Sequence, residues 1–248
     1  MGKRTPTSIA ERAVKQRRPA DRPPSERLPV KRVIADEAAR HAVLETARAM
    51  AARGLSPGRS GNVSARCDGG MLITPTGMAY DAMVPGDIVA VNADGSVARG
   101  QKKPSSEWQL HLAAYEARPD RHAIVHMHAM HATVLACAHK PIPAFHYMVA
   151  VAGGADIPLV PYATFGGDDL AANVARGLRE RDACLMANHG MIAIGATLSA
   201  ALELAADVEG LAEQYVKVLT LGVPHILDEA EMTRVLAKFK SYGQKGQG

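Results

Sequence analysis

Apolar residues recur along the chain in two rhythms, one helical and one extended, and together they predict most of its elements. Ile34, Ala38, Leu44, Ala47 and Met50 share a helical face, which predicts an amphipathic helix over residues 34–53, with Asp36 near its start and Gly54 just past its end. A Gly-rich turn over residues 56–64 leads into a strand, and residues 71–74 form a short strand before the turn Pro75-Thr76-Gly77. Residues 88–91, the turn 92–95 and Ser96-Val97 read as a hairpin. A helix opens at Pro104-Ser105-Ser106-Glu107 and runs to about Ala117, followed by the apolar strand Ala123-Ile124-Val125 and a helix over 129–138. Then come a strand at 157–160, a helix at 168–181 capped by Asp168 or Asp169, and strands at 183–186 and 191–194 around Asn188-His189-Gly190. Long helices follow at 198–221 and 228–242, the last ending at Gly243. This order is not a regular βαβ alternation, so the expectation is an α/β domain whose sheet is largely antiparallel and covered by helices.

Composition narrows the picture. The chain has 248 residues, enough for a substantial core, and its 47% hydrophobic content includes only 4% aromatics, leaving Ala, Val, Leu and Met to fill that core. No apolar run approaches the roughly 18 residues of a membrane span. The N-terminus has no apolar segment of the secretory kind, so a cytoplasmic protein is expected. Cys67, Cys137 and Cys184 are odd in number and lack CxxC spacing, which reads as reduced thiols. The basicity is local. Residues 1–32 carry ten Lys/Arg against Glu11, Asp21 and Glu26, so of the chain's net +4 the tail holds +7 and the rest −3. A disordered basic tail over 1–32, a folded body over 33–243 and a flexible end over 244–248 are expected, with no nucleic-acid surface on the body.

The candidate chemistry lies between Pro104 and His131. His126 and His128 are two apart after an apolar strand, so both imidazoles face the same way and can reach one ion at about 2.0–2.1 Å. A lone strand histidine is usually an ordinary hydrogen-bonding residue, but a spaced pair points to metal. His189, in a turn between two strands, can project from a sheet edge as a third ligand, and His131 falls close by. Three protein ligands leave a position open for chemistry. Ser105 and Ser106 at a helix start are first of all capping residues, yet paired hydroxyls beside free N–H groups also suit a phosphate. The Gly61-Asn62 and Thr76-Gly77 turns could add backbone donors. Glu107 gains from the helix dipole alone, but beside a metal strand it is also a candidate acid/base.

The blocks PSSEW, the HxH pair followed by His131-Ala132-Thr133, the third histidine in NHG, the run from His146 to Gly166 and the ending FKSYG resemble the class II, zinc-dependent aldolase/adducin-head family across about residues 34–243. The resemblance implies a three-layer α/β/α fold around a largely antiparallel sheet, assembled as a cyclic tetramer with sites between subunits. It implies a divalent ion, zinc or else manganese or cobalt, on His126, His128 and His189, with Glu107 able to approach it. It places the phosphate of a sugar-phosphate substrate at Gly61, Asn62, Thr76, Gly77, Ser105 and Ser106. It makes Tyr147 the proton donor to the aldehyde oxygen, sets Phe165 on the aldehyde side, and lets Tyr242 act from a neighbouring subunit. The reaction implied is reversible aldol cleavage of a ketose 1-phosphate to dihydroxyacetone phosphate and an aldehyde. Arg59 departs from the threonine of fuculose-phosphate aldolases, and its guanidinium could hold phosphate or a carboxylate. A decarboxylase therefore stays open. The 4-epimerases of the family carry Asp where this chain has Glu107, and a noncatalytic adducin-like module would have lost the ligands that are all present here.

Overall fold

The structure, a computed structural model, describes residues 37–57 and 60–240. The expected basic tail, Arg59, Tyr242 and the C-terminal end lie outside the described residues. Helix α1 (Glu37–Ala52) is followed by strands β1 (Asn62–Cys67), β2 (Gly70–Ile73) and β3 (Val89–Asn92), then α2 (Trp108–Ala117), β4 (Ala123–Met127) and α3 (Met130–Cys137). After a 3-10 turn at Tyr147–Ala152 come β5 (Leu159–Val160), α4 (Asp168–Gly177), β6 (Ala183–Met186), β7 (Gly190–Gly195), α5 (Leu198–Leu221) and α6 (Glu229–Phe239).

The strands form one sheet in the order β3-β2-β1-β4-β7-β6-β5. Every pairing is antiparallel except β5 with β6. Side chains alternate between the faces, as an extended chain requires. Leu72, Val125 and Ala193 face one way and pack under α1, α3 and α5. Met71, Ile73, Ile124, Ile192 and Ile194 face the other way, under α2 and α4. Both faces are thus buried, which is why these strands are nearly continuous apolar runs. The result is the expected three-layer α/β/α arrangement.

Three local expectations are corrected. The second arm of the hairpin after β3 is no strand, only a bridge from Val91 to Val97. β3 uses its ladder on β2, and the Gln101 side chain pairs with both the N–H and the C=O of Ala90, saturating the strand's other edge. Helix α4 stops at Gly177 rather than Arg181: the Leu178 N–H still bonds the Val174 carbonyl, but the Arg179 N–H bonds Arg176, and Arg118 takes the carbonyls of Leu178 and Arg181 as acceptors. Its N-cap is Gly167, with no side-chain cap, so Asp168 and Asp169 are acidic residues of the first turn rather than the cap. Finally, β7 lies between β4 and β6, so His189 sits at the end of a central strand and not at an edge.

Candidate active site

β4 ends at Met127, and its two histidines leave it on the face toward α2. His126 is fully buried and its Nδ1–H donates to the Met191 carbonyl at 2.8 Å, which leaves the Nε2 lone pair facing outward. Antiparallel pairing of Met127 with Met191 brings the turn before β7 beside the end of β4. His189 thereby joins the pair, and one ligand atom from each of His126, His128 and His189 lies within 4.8 Å of the others. Two glycines permit this closeness. Gly61, at φ +83°, would place a Cβ 2.7 Å from the His126 carbonyl, and Gly190 would place one 2.6 Å from that of Met127.

Glu107 is the N-cap residue of α2 and faces the three imidazoles. Its Oε2 lies 3.1 Å from His126 Nε2 and its Oε1 lies 3.0 Å from His189 Nε2. Asn62 Nδ2 donates to Oε2 at 2.9 Å, whereas the buried Oε1 meets His189 Nε2 and takes no other hydrogen bond. Burial by itself would raise the Glu107 carboxyl, but His126 and His189 outweigh it and hold the group well below the usual carboxylate range. Burial likewise opposes protonation of His126, yet Glu107 prevails and raises it. His128, half-buried and facing the other two rings, is pushed down to about 4, by its burial first and then by His126 and His189. The Nε2 atoms of His126 and His128 face each other at 3.1 Å. Three convergent imidazoles, two of them nose to nose, and a carboxylate facing His126 and His189 form a donor set that suits a divalent cation of zinc's type.

A cavity of about 400 Å³ opens over this cluster. Gly61, Asn62, Thr76, Gly77, Ser105, Ser106, Glu107, Phe165, His128 and His189 all line it, so the expected site residues of the described chain other than Tyr147 meet in one place, with His126 buried just behind. Ser105 is buried and receives the Glu107 N–H on its Oγ, while Ser106, Thr76 and Gly77 are exposed at the rim. Tyr147 is elsewhere. It is 49% exposed on the 3-10 turn and lines a second cavity with Phe145, Phe239 and other residues of α6. His131 is not in the cluster either. Its ring and N–H, with the N–H of Ala132, bind Glu209, which thereby caps the start of α3.

Several lining residues were not singled out from the sequence: Tyr80, Tyr162 and Asn188. Asn188 takes a left-handed conformation and holds His139 by a 2.6 Å contact, in the turn that delivers His189. His111 was also passed over. Its signal was available, since Glu107 and His111 are four apart and so share one side of the chain entering α2.

The family model described as Class II Aldolase and Adducin N-terminal domain matches residues 41–216. A 5-methylthioribulose-1-phosphate/5-deoxyribulose-1-phosphate aldolase from Rhodospirillum rubrum is 50% identical over 210 residues, covering 85% of this chain and 95% of that protein. An L-fuculose phosphate aldolase from Escherichia coli O6:H1 is 47% identical over 202 residues, covering 81% of this chain and 94% of that one. Among solved structures, an L-fuculose 1-phosphate aldolase matches with a TM-score of 0.80 at 38% identity, covering 83% of this chain and 98% of its own.

Proposed function

Because this chain belongs to the class II aldolase and adducin family, we propose that it is a lyase that cleaves a ketose 1-phosphate reversibly between C3 and C4, yielding dihydroxyacetone phosphate and an aldehyde. One observation carries the reading. A single cavity holds Glu107 between three convergent histidines and the serine and glycine turns suited to a phosphate. When bound on His126, His128 and His189, a divalent cation supplies a Lewis acid for the negative charge that develops on the substrate oxygens. Zinc, or manganese or cobalt in its place, is the proposed ion.

The chain's own residues do the rest. Ser105, Ser106 and the Gly61-Asn62 and Thr76-Gly77 turns hold the phosphate and so fix the position of the reacting carbons. In the synthetic direction the ionised Glu107 removes a proton from C3, leaving the electron pair that attacks the aldehyde, and is itself left protonated; in cleavage the protonated Glu107 returns that proton to the electron pair the broken C3–C4 bond leaves on C3. Tyr147 is assigned to donate its phenolic proton to the aldehyde oxygen in the synthetic direction; in cleavage its phenolate takes the proton that the C4 hydroxyl loses, and between turnovers solvent returns the proton from one group to the other. Since Tyr147 lies outside the Glu107 cavity of its own chain, the tyrosine is assigned to a neighbouring copy in a cyclic tetramer, and Tyr242 is likewise assigned to act from or beside a neighbouring subunit. Phe165, with Tyr162 and Met78, gives the cavity apolar surface for the aldehyde end, which favours a deoxy or methylthio terminus. Among the described residues no helix is long and apolar enough to cross a membrane, and a cytoplasmic enzyme is proposed.

The experiment is direct. Zinc-loaded protein is given dihydroxyacetone phosphate in deuterated water, then 5-deoxyribulose 1-phosphate or L-fuculose 1-phosphate. Exchange at C3 with cleavage of at least one sugar is expected. An enzyme that exchanges no proton but releases CO₂ from a carboxylated substrate would overturn the aldol reading.

A further inference from the structure

Behind Glu107 runs a chain of buried side chains of which the reaction as described uses only Asn62, in its phosphate turn. Asn62 donates its Nδ2 to Glu107 Oε2 at 2.9 Å, and its Oδ1 contacts His111 Nε2. His111 Nδ1 meets Ser64 Oγ at 2.7 Å, and Ser64 Oγ meets the Tyr115 hydroxyl at 2.9 Å. Ser64 and His111 are fully buried, and Asn62 and Tyr115 nearly so. Asn62 and Ser64 alternate onto the α2 side of β1, opposite to Val63, and His111 and Tyr115 follow each other at helical spacing on α2. Strand and helix periodicity thus meet along one line of polar groups inside an otherwise apolar layer.

The protons along this line have one consistent placement. An ionised carboxylate only accepts, so the end of Asn62 facing Glu107 is its NH₂ and the end facing His111 is its carbonyl. His111 Nε2 must therefore carry a proton. Burial first, and then His126, pushes the His111 imidazole down to about 3, so the ring is neutral and Nδ1 is an acceptor. Ser64 donates to Nδ1 and receives the Tyr115 hydroxyl in turn. Were His111 to present a bare Nε2, the Asn62 amide would turn over and set its carbonyl against the carboxylate. Two buried acceptors would then face each other, at a cost of about 1–3 kcal/mol for the group left unsatisfied.

We propose that His111 is a positioning residue of this enzyme: through Asn62 it holds Glu107 Oε2 in a hydrogen bond and leaves Oε1, the oxygen facing His189, to move the substrate proton. The inference rests on the aldol reading for what Glu107 does, but the hydrogen-bond assignment stands apart from it. It gives Asn62 a task inward, toward the carboxylate, since both ends of its amide are engaged within the protein.

The test uses substitutions that keep opposite ends of the ring. His111→Gln carries an amide nitrogen near the position of Nε2 and keeps the donor to Asn62. His111→Asn reaches only as far as Nδ1 and loses it. Metal content and melting temperature are measured for both, then kcat, KM and the C3 exchange rate. His111→Asn should lower kcat and exchange by about 10–100-fold with KM and metal content little changed, and His111→Gln should recover most of the loss. Equal losses in the two variants, following their melting temperatures, would reduce the chain to a structural tie and overturn the proposal. Nitrogen NMR of histidine-labelled wild-type protein gives a readout independent of turnover. A neutral ring protonated at Nε2 is expected at pH 7, and a ring protonated at Nδ1 would overturn the assignment. If the wild-type protein proved inert toward every ketose phosphate, the aldol reading would fail, and the NMR result would still decide the hydrogen-bond line.

Discussion

Gly190 lies so close to His128 that a Cβ added to it would meet the ring at Cδ2 at 2.8 Å, and the Met127 carbonyl at 2.6 Å. The first obstacle could rotate, but the second is backbone and cannot yield without moving the end of β4. Gly190→Ala should therefore disturb His126 and His128 together. Metal affinity should fall by about 10–100-fold, as when a ligand's support is altered. Competition with a chelator, followed by elemental analysis, would measure it. Unchanged affinity would mean that the turn before β7 relaxes freely.

Glu107→Gln should cut turnover by about 10²–10⁴-fold, the range for losing a positioned acid/base. The Gln carbonyl can still accept from Asn62, so the cavity keeps its shape. Ser105 and Ser106 remain, and inhibition by inorganic phosphate should change little. Proton exchange at C3 of dihydroxyacetone phosphate should cease. Persistent exchange in this variant would assign the proton step to another group.

Tyr147→Phe and Glu107→Gln should each be nearly inactive as pure proteins. If a site draws its tyrosine and glutamate from different copies, mixed oligomers contain some sites with both wild-type residues. Unfolding and reassembling the two variants in equal amounts should restore about one quarter of wild-type turnover, since the two halves of each interface are drawn independently. No recovery, despite confirmed mixing, would place both groups within one chain.

The buried His111 makes stability depend on pH. Its native value is about 3, against 6.5 for the free side chain, because burial and then His126 disfavour its charge. Between those values the unfolded chain binds a proton that the native chain does not, so stability rises with pH across the window. The contribution is complete above about 6.5 and is lost as pH falls toward 3, by about 1.4 kcal/mol per pH unit. Urea unfolding of wild type and His111→Gln between pH 5 and 7.5 would isolate it. The difference between the two should narrow as pH falls, and a constant gap would contradict it.

His126→Ala, His128→Ala and His189→Ala combined should leave a folded protein without stoichiometric metal, measured on material purified without a histidine tag. Stoichiometric metal in that variant would refute the three-histidine site.

Much of this was legible along the chain because it depends on near neighbours. The short apolar strand Met71-Leu72-Ile73, the helical spacing through α1 and the His-Met-His step each follow from backbone geometry acting over a few residues. The blocks around Glu107 and the three histidines were enough to place the chain in its family. What the tertiary structure alone decided is which distant residues touch. The register of β1 on β4 and of β4 on β7, Asn62 opposite His126 and Met127 opposite Met191, carries His189 to the pair and Asn62 to Glu107. No local rhythm encodes that register. The fate of the segment after β3 was equally hidden, because a side chain eleven residues away, Gln101, took the hydrogen bonds that a second hairpin arm would have made. Tyr147 ended beside Phe239 rather than Glu107 for the same reason: α6 and the 3-10 turn bury their apolar faces together, a preference set by packing between segments far apart in sequence.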